Sequence, residues 1–322
     1  MSAPSPDAID TAPPPGFAGP WRRGFALLVD TFAVVLLGLA LGVLMGETLA
    51  RLGGWERMFG FALALAYRGL LGSRLGGGQT LGKRLSGIRV VGRDGAPLPL
   101  PRALLRETLF LAPFFLLGAP VPPDALLGAT GIVLAIVLVG GLFALAYLFL
   151  CNGRGRRTLH DLLAGSAVVR AAAAPPVPPA WRGHLVVIGV VAALAATAPL
   201  VAARLISGTT VERLLPVHAA LRGAPGVLDA RVSAGTAWRG PEKSTSLVLV
   251  LRLSGADVDE EFRARELATQ ALVLYPEGRT RDVVKVVLTH GYDMVIASDW
   301  RRRTFVFDPD ALVPPETEPD DR

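Results

Sequence analysis

Three long runs almost free of charge decide most of what this chain can become. Gly24–Gly46 holds 23 residues and one charge, Asp30; Ala125–Cys151 holds 27 residues and none; Leu185–Ala203 holds 19 and none. As helices, each is long enough to cross roughly 30 Å of hydrocarbon. The whole chain is 51% hydrophobic and only 19% charged, with a mean hydropathy of +0.45. Soluble domains average about 25% charged, so the composition points to helices in a bilayer before it points to domains in water.

Two further segments are shorter or interrupted. Met58–Leu71 is apolar except for Arg68, and Thr108–Gly118 contains Pro113 and follows Arg106 and Glu107. Each reads as a span or as a buried, re-entrant piece. The placement of positive charge argues for spans. Residues 68–106 carry Arg68, Arg74, Lys83, Arg84, Arg89, Arg93, Arg102 and Arg106, and residues 152–182 carry Arg154, Arg156, Arg157, Arg170 and Arg182. Arg22 and Arg23 precede the first run, whereas 119–124, "APVPPD", has no Lys or Arg. Short basic connections stay on the cytoplasmic side. Five spans put every basic stretch inside and leave residues 207–322 outside the cytoplasm. The alternative of a cleaved export signal, suggested by "WRRGFAL", fails because the apolar run is too long and Asp30 interrupts it.

The stretch "GGGQTLGKRLSG", Gly76–Gly87, imitates a phosphate-binding loop, since Gly77, Gly82 and Lys83 fit its spacing. Its magnesium-holding Ser or Thr is replaced by Arg84, and it follows an apolar segment rather than a buried strand, so the nucleotide reading fails. Ile88, Val90 and Val91 suggest a short strand, with a turn at Asp94-Gly95.

Three motifs in order then match a known family. They are "RRGFALLVD" with Arg23, Ala26 and Asp30; "GQTLGKRLSGIRVVGRDGAPL" with Gln79, Thr80, Gly82, Lys83, Gly87, Val90 and Gly95; and "RRTLHDLLAGSAVV" with Arg157, His160, Asp161 and Gly165. Over roughly residues 20–170 the chain resembles the RDD family of bacterial multi-pass membrane proteins. The resemblance makes Arg23, Asp30 and Asp161 the counterparts of the family's Arg and two Asp. It implies an inner-membrane location and a transport-related or membrane-homeostasis role, ion transport including cation/proton exchange being proposed for some members. It does not explain the span near 184–206 or the tail.

Arg23 and Asp30, seven residues apart, share a face of one helix about 10 Å apart along its axis. They are too distant for a direct pair, so Asp30 needs a partner on another helix, with Arg106 or Arg68 the candidates. A carboxylate at membrane depth is a functional candidate, able to hold a proton or cation, and equally an interhelical ion pair that fixes packing. Thr158 and Asp161 have capping-box spacing, so His160 and Asp161 read either as a helix start near the membrane surface or as part of a gate. The basic loop orients the protein and attracts anionic lipid; Lys83 and Arg84 could also hold an anion. Without interleaved aromatics it does not read as a nucleic-acid site.

Residues 207–322 change to mixed charge. "TTVERLLPVHAALRG" puts Val211, Leu214, Leu215, His218 and Leu221 on one helical face, with Gly223 as its stop; "LDARVSA" and "SLVLVLRL" read as strands. "DEEFRARELATQALVL" reads as a helix capped by Asp259, and "DVVKVVLTHGYD", "MVIAS" and "RTFVFD" as further strands. His290 and Asp293 are placed beside a turn, and His218 in the core.

The expected fold class is therefore an α-helical membrane bundle of about five transmembrane helices with a C-terminal extracytoplasmic α+β two-layer domain. The expected divisions are a disordered tail at 1–20, an RDD-type membrane domain at 21–170, an Ala/Pro linker at 171–183, a further span at 184–206, the soluble domain at 207–310 and a disordered tail at 311–322. One cysteine, Cys151, excludes an intrachain disulfide, and the histidines at 160, 184, 218 and 290 lie too far apart for a helical metal pair. No catalytic residue, metal or cofactor is expected, and the chain does not read as an enzyme. The residues expected to matter are Arg23, Asp30, Thr80, Gly82, Lys83, Arg106, His160 and Asp161. Expected partners are the bilayer and its anionic lipid, an ion or small solute, and a second copy or an extracytoplasmic protein. The rival reading is a non-transporting anchor that displays the external domain.

Overall fold

Helix α1 (Pro20–Ala50) runs 31 residues before Gly53 and Gly54, both at positive φ, turn the chain. This geometry comes from a computed structural model, which describes residues 16–153, 156–173, 182–239 and 242–312. Most of both expected tails and of the Ala/Pro linker lies outside those residues; within the tail expected at 1–20, Phe17 and Ala18 are buried, with Ala18 N donating to Val168 O. Three helical stretches are long and apolar enough to cross a membrane: Pro20–Ala50, Ala129–Cys151 and Arg182–Ile206. The chain divides into two compact units, one of residues 1–40, 57–119 and 124–200, the other of 41–56, 120–123 and 201–322.

In the first unit α1 is followed by α2 (Glu56–Gly72), the single turn α3 (Leu81–Leu85), strand β1 (Ile88–Gly92) and α4 (Leu100–Leu116). Pro99 and Pro101 start α4, where missing N–H groups cost nothing. The third apolar run is in pieces. A turn, α5 (Pro123–Leu126), is set off by Gly128 from α6 (Ala129–Ala135), a wide turn at Ile136–Gly140, and α7 (Gly141–Cys151). The expected span thus starts four residues late. Turn α8 (Leu159–Leu163) begins with the expected capping box between Thr158 and Asp161, and strand β2 (Ser166–Arg170) follows. β1 and β2 pair antiparallel, from Ile88 opposite Arg170 to Gly92 opposite Ser166. The last apolar run is α9 (Arg182–Ile206), where His184 Nδ1 lies 3.1 Å from the Tyr147 hydroxyl.

The helices of this unit are apolar outside and polar inside. Phe25, Leu28, Phe32 and Leu36 on α1, Val133 and Leu150 on the third run, and Val186, Val190 and Leu194 on α9 are exposed. Asp30, Arg68, Arg106, Glu107 and Asp161 are buried. Water would invert that pattern; lipid permits it.

The second unit holds α10 (Thr210–Arg222), β3 (Val227–Arg239), β4 (Glu242–Leu253), α11 (Glu261–Leu274), β5 (Val283–Asp293) and β6 (Ser298–Phe307). The sheet runs in order β3-β4-β5-β6, with β4 and β5 parallel and the outer pairs antiparallel. The two helices cover one face through Leu214, Val217, Leu221, Leu267, Ala271 and Leu272, against Leu247, Leu249, Leu251, Val286 and Leu288. Each fully buried Leu is worth about 1.5–3 kcal/mol. This is the expected two-layer α+β arrangement, with four corrections. "MVIAS" is the β5–β6 hairpin turn, closed by Met294 N donating to Ala297 O, with Val295 at φ 70. α11 has Glu260 at its cap position, one residue later than expected, while Asp259 pairs with Arg303 at 3.4 Å. The buried face of α10 centres on Val217, leaving Val211 exposed and His218 half-buried. His290 lies within β5, its Nδ1 3.1 Å from Leu253 O.

Candidate functional site

Most amides of the glycine-rich stretch are already taken within the fold. Gly76 N and Gly78 N donate to Ser73 O, Gly77 N to Arg74 O and Gln79 N to Gly76 O. Leu81 N reaches the Tyr67 hydroxyl, and Gly82 N donates to Asp30 Oδ1 at 2.8 Å. The stretch is instead a socket for Asp30. Thr80 Oγ1, at the cap of α3, donates to Asp30 Oδ2 at 2.5 Å and Tyr67 OH to Oδ1 at 3.0 Å, while Arg68 Nη1 stands 4.0 Å away. Of the two arginines expected for Asp30, Arg68 is the neighbour; Arg106 goes elsewhere.

Gly82 is needed for this socket. A Cβ there would lie 2.1 Å from Ala26 O and 2.9 Å from Asp30 Oδ1. Gly82→Ala should push α3 off α1 and lower stability by about 1–3 kcal/mol. Thermal melting in detergent checks this against Gly189→Ala, whose Cβ meets nothing within 4 Å.

The second socket surrounds Asp161. Its Oδ1 accepts from Arg106 Nε at 2.9 Å, Arg106 Nη2 at 2.8 Å and Ser166 Oγ at 3.2 Å. Its Oδ2 receives Thr158 N at 3.4 Å, with Arg23 Nη1 3.9 Å away. Arg157 Nε, donating to Ser166 O at 2.8 Å, ties the end of this loop to β2. His160 Nε2 lies 3.1 Å from Arg106 Nη2 and His160 Nδ1 lies 3.0 Å from Thr158 Oγ1. A guanidinium only donates, so Nε2 accepts, Nδ1 carries the proton, and His160 is neutral. Burial, with Arg106 beside it, pushes the imidazole down to about 4. Burial alone would raise Asp161, but the guanidiniums of Arg106 and Arg23 outweigh it and hold the carboxyl well below its usual range.

Glu107 joins the sockets, accepting from Arg68 Nε at 2.8 Å and from Arg106 Nη1. The result is a closed circuit: Arg23 on α1 to Asp161 on α8, to Arg106 and Glu107 on α4, to Arg68 on α2, and back to Asp30 on α1. Arg23 and Asp30, too far apart to touch, are thus linked through three other helices.

The circuit forms one wall of a cavity of about 280 Å³ within the first unit, lined by Arg23, Asp30, Arg68, Lys83, Arg106, Thr158, His160 and Asp161. Leu27, Phe110, Leu145 and Phe149 supply an apolar wall. Thr80 and Gly82 stand behind it as supports for Asp30. Lys83 is 6% exposed, and its Nζ reaches Thr80 Oγ1 at 3.4 Å. Burial lowers its pKa to about 8, an effect that Glu107 only partly offsets.

All three motifs of the sequence converge on this one cavity. Residues 17–165 match the RDD family model. That stretch is an RDD-family domain. No curated protein and no solved structure matches the chain. The RDD domain covers the first helix through α8, so α9 and the sheet unit are additions to it. Of the eight expected residues, six line the cavity of the RDD domain and two hold Asp30. Tyr67, Glu107 and Ser166 complete the sockets and were not expected, since nothing in their local spacing announces partners so far along the chain. Among the described residues no three His, Cys, Asp or Glu side chains are placed to hold a metal ion.

Proposed function

We propose that the protein is a five-span protein of a bacterial inner membrane whose RDD domain handles an ion or small solute at this cavity. The observation that carries the reading is the convergence of every RDD motif on one buried, charge-lined space. The reading assigns the chain no covalent chemistry.

The β1–β2 pairing supports the span count. Residues 88–92 and 166–170 are hydrogen-bonded neighbours, so the chain between them leaves one side of the bilayer and returns. Ala129–Cys151 makes one crossing, and α4 is available for the other. Ala18 N donates to Val168 O at 3.1 Å, so α1 likewise needs α2 as its return. α2 and α4 each have 17 residues, about 25 Å of helix and at the short end for a span. This topology puts 51–55, 117–123 and the sheet unit on the far side, and 41–56, 120–123 and 201–322 do gather in one unit. The positive residues of the RDD loops then face the cytoplasm, with the N-terminus. Because Arg68, Lys83 and Arg106 are buried, the attraction of anionic lipid falls to Arg74, Arg84, Arg89, Arg93 and Arg102.

A second reading, an anchor for the sheet unit, is favoured by one observation. Asp30 already accepts three hydrogen bonds, the condition of a packing element rather than of a group that exchanges protons. In proteoliposomes with pH- and potential-sensitive dyes, an imposed salt gradient should produce a response with intact protein. Asp30→Asn protein that still melts cooperatively should lose it. A silent intact protein, with cellular function lost on deleting 207–322, would overturn the solute reading in favour of the anchor. A reporter fused after Leu205 should be active only outside the cytoplasm.

A further inference from the structure

We propose that the cavity of the RDD domain binds an amphipathic anion, an acidic head group on an aliphatic tail, with Lys83 as the head-group contact. The proposal names the class of solute for the reading above and rests on it.

Arg23, Arg68, Lys83 and Arg106 line the cavity, against the carboxylates of Asp30 and Asp161 and of Glu107 behind the arginines. The three carboxylates are engaged by arginines, hydroxyls and an amide in the circuit. Lys83 is outside it: among the described residues no carboxylate lies within 4.0 Å of its Nζ, and Thr80 Oγ1 at 3.4 Å is its one hydrogen-bond partner. A cation so buried is costly unless an anion joins it. A cationic or neutral solute would leave that excess unmatched.

The rest of the wall selects against a bare anion. Leu27, Phe110, Leu145 and Phe149 give nothing for chloride or phosphate to bind, and they favour the burial of methylene groups. One apolar wall and one unmatched cation fit a molecule with both ends. A carboxylate from a fatty acid and a phosphate monoester from a lysolipid share this chemistry.

The test uses full-length protein in a neutral detergent with dansyl-undecanoate as fluorescent probe. The probe should bind and be displaced by laurate or dodecyl phosphate, and the better of these identifies the head group. Dodecyltrimethylammonium, acetate and inorganic phosphate should displace it at least about tenfold less well. Lys83→Met should weaken binding by about tenfold or more, whereas Arg51→Met, at an exposed arginine outside the cavity lining, should not. Where Lys83→Met fails to fold, Leu27→Trp tests the same site by filling the tail space with the charges kept. No binding to intact protein, equal displacement by the cationic amphiphile or by acetate, or unchanged binding in both Lys83→Met and Leu27→Trp would overturn the proposal. Binding without any flux would sustain this site while removing transport; flux without binding would do the reverse.

Discussion

Asp161→Asn should destabilise the RDD domain by about 3–5 kcal/mol, the usual cost of removing one partner from a buried ion pair. The change keeps the shape of the side chain but removes the charge. Arg106 loses the negative charge that its Nε and Nη2 bind, and Arg23 loses its carboxylate neighbour at 3.9 Å. The amide nitrogen also takes the place of one oxygen, so its N–H groups face either Thr158 N at the Oδ2 position or Arg106 and Ser166 at the Oδ1 position, all of which already donate there. Combining Asp161→Asn with Arg106→Met should cost less than the sum of the single changes, because the second removes the cation that the first exposed. Thermal melts in detergent across the double-mutant cycle measure this. The same melts should show a pH dependence. His160 takes a proton near 6.5 when unfolded but only near 4 when folded. Its contribution is therefore complete above pH 6.5 and is lost as pH falls toward 4, by up to about 3 kcal/mol. His160→Asn should flatten that slope.

Glu56→Gln should have an effect of similar size on the sheet unit. Arg252 on β4 donates to Glu56 Oε1 at 3.0 Å, to Ala50 O at 3.2 Å and to Gly291 O at 2.6 Å, and stacks over Trp300 at 5.0 Å. Glu56 also accepts from Asp293 N at 3.1 Å and Gly54 N at 2.7 Å. Both side chains are buried. With a neutral amide at 56, Arg252 has carbonyl oxygens but no counter-charge, and the expected loss is about 3–5 kcal/mol. Rapid proteolysis of residues 207–312 in the variant would report it. Arg213→Ala is the matched control: its pair with Glu277 is half exposed, and such pairs contribute about 1 kcal/mol or less.

What the sequence made legible follows the range of each interaction. The apolar runs, the capping box at Thr158–Asp161, the short strand at 88–92 and the helix–strand order of the tail are all local patterns, and the structure has them. "MVIAS" looked like a strand because four apolar residues in a row satisfy that pattern, yet Val295 at positive φ makes it a turn. Seven of the eight expected residues lie in three motifs that stand in the right order, and Arg106 entered as a candidate partner for Asp30. Their pairing was not legible, since Asp30 is 50 residues from Thr80 and Arg106 is 55 from Asp161. The pair of Glu56 with Arg252, separated by 196 residues, left no trace in spacing at all.

The pairing of β1 with β2 sets an order of events during synthesis. A nascent chain grown only through Cys151 already contains Arg23 and Arg106, but neither Asp161 nor the strand that closes on residues 88–92 yet exists. Until residues 161–170 leave the ribosome, the half-made bundle keeps an uncompensated guanidinium and an open strand edge, the two features by which membrane proteases and chaperones can recognise an unfinished client.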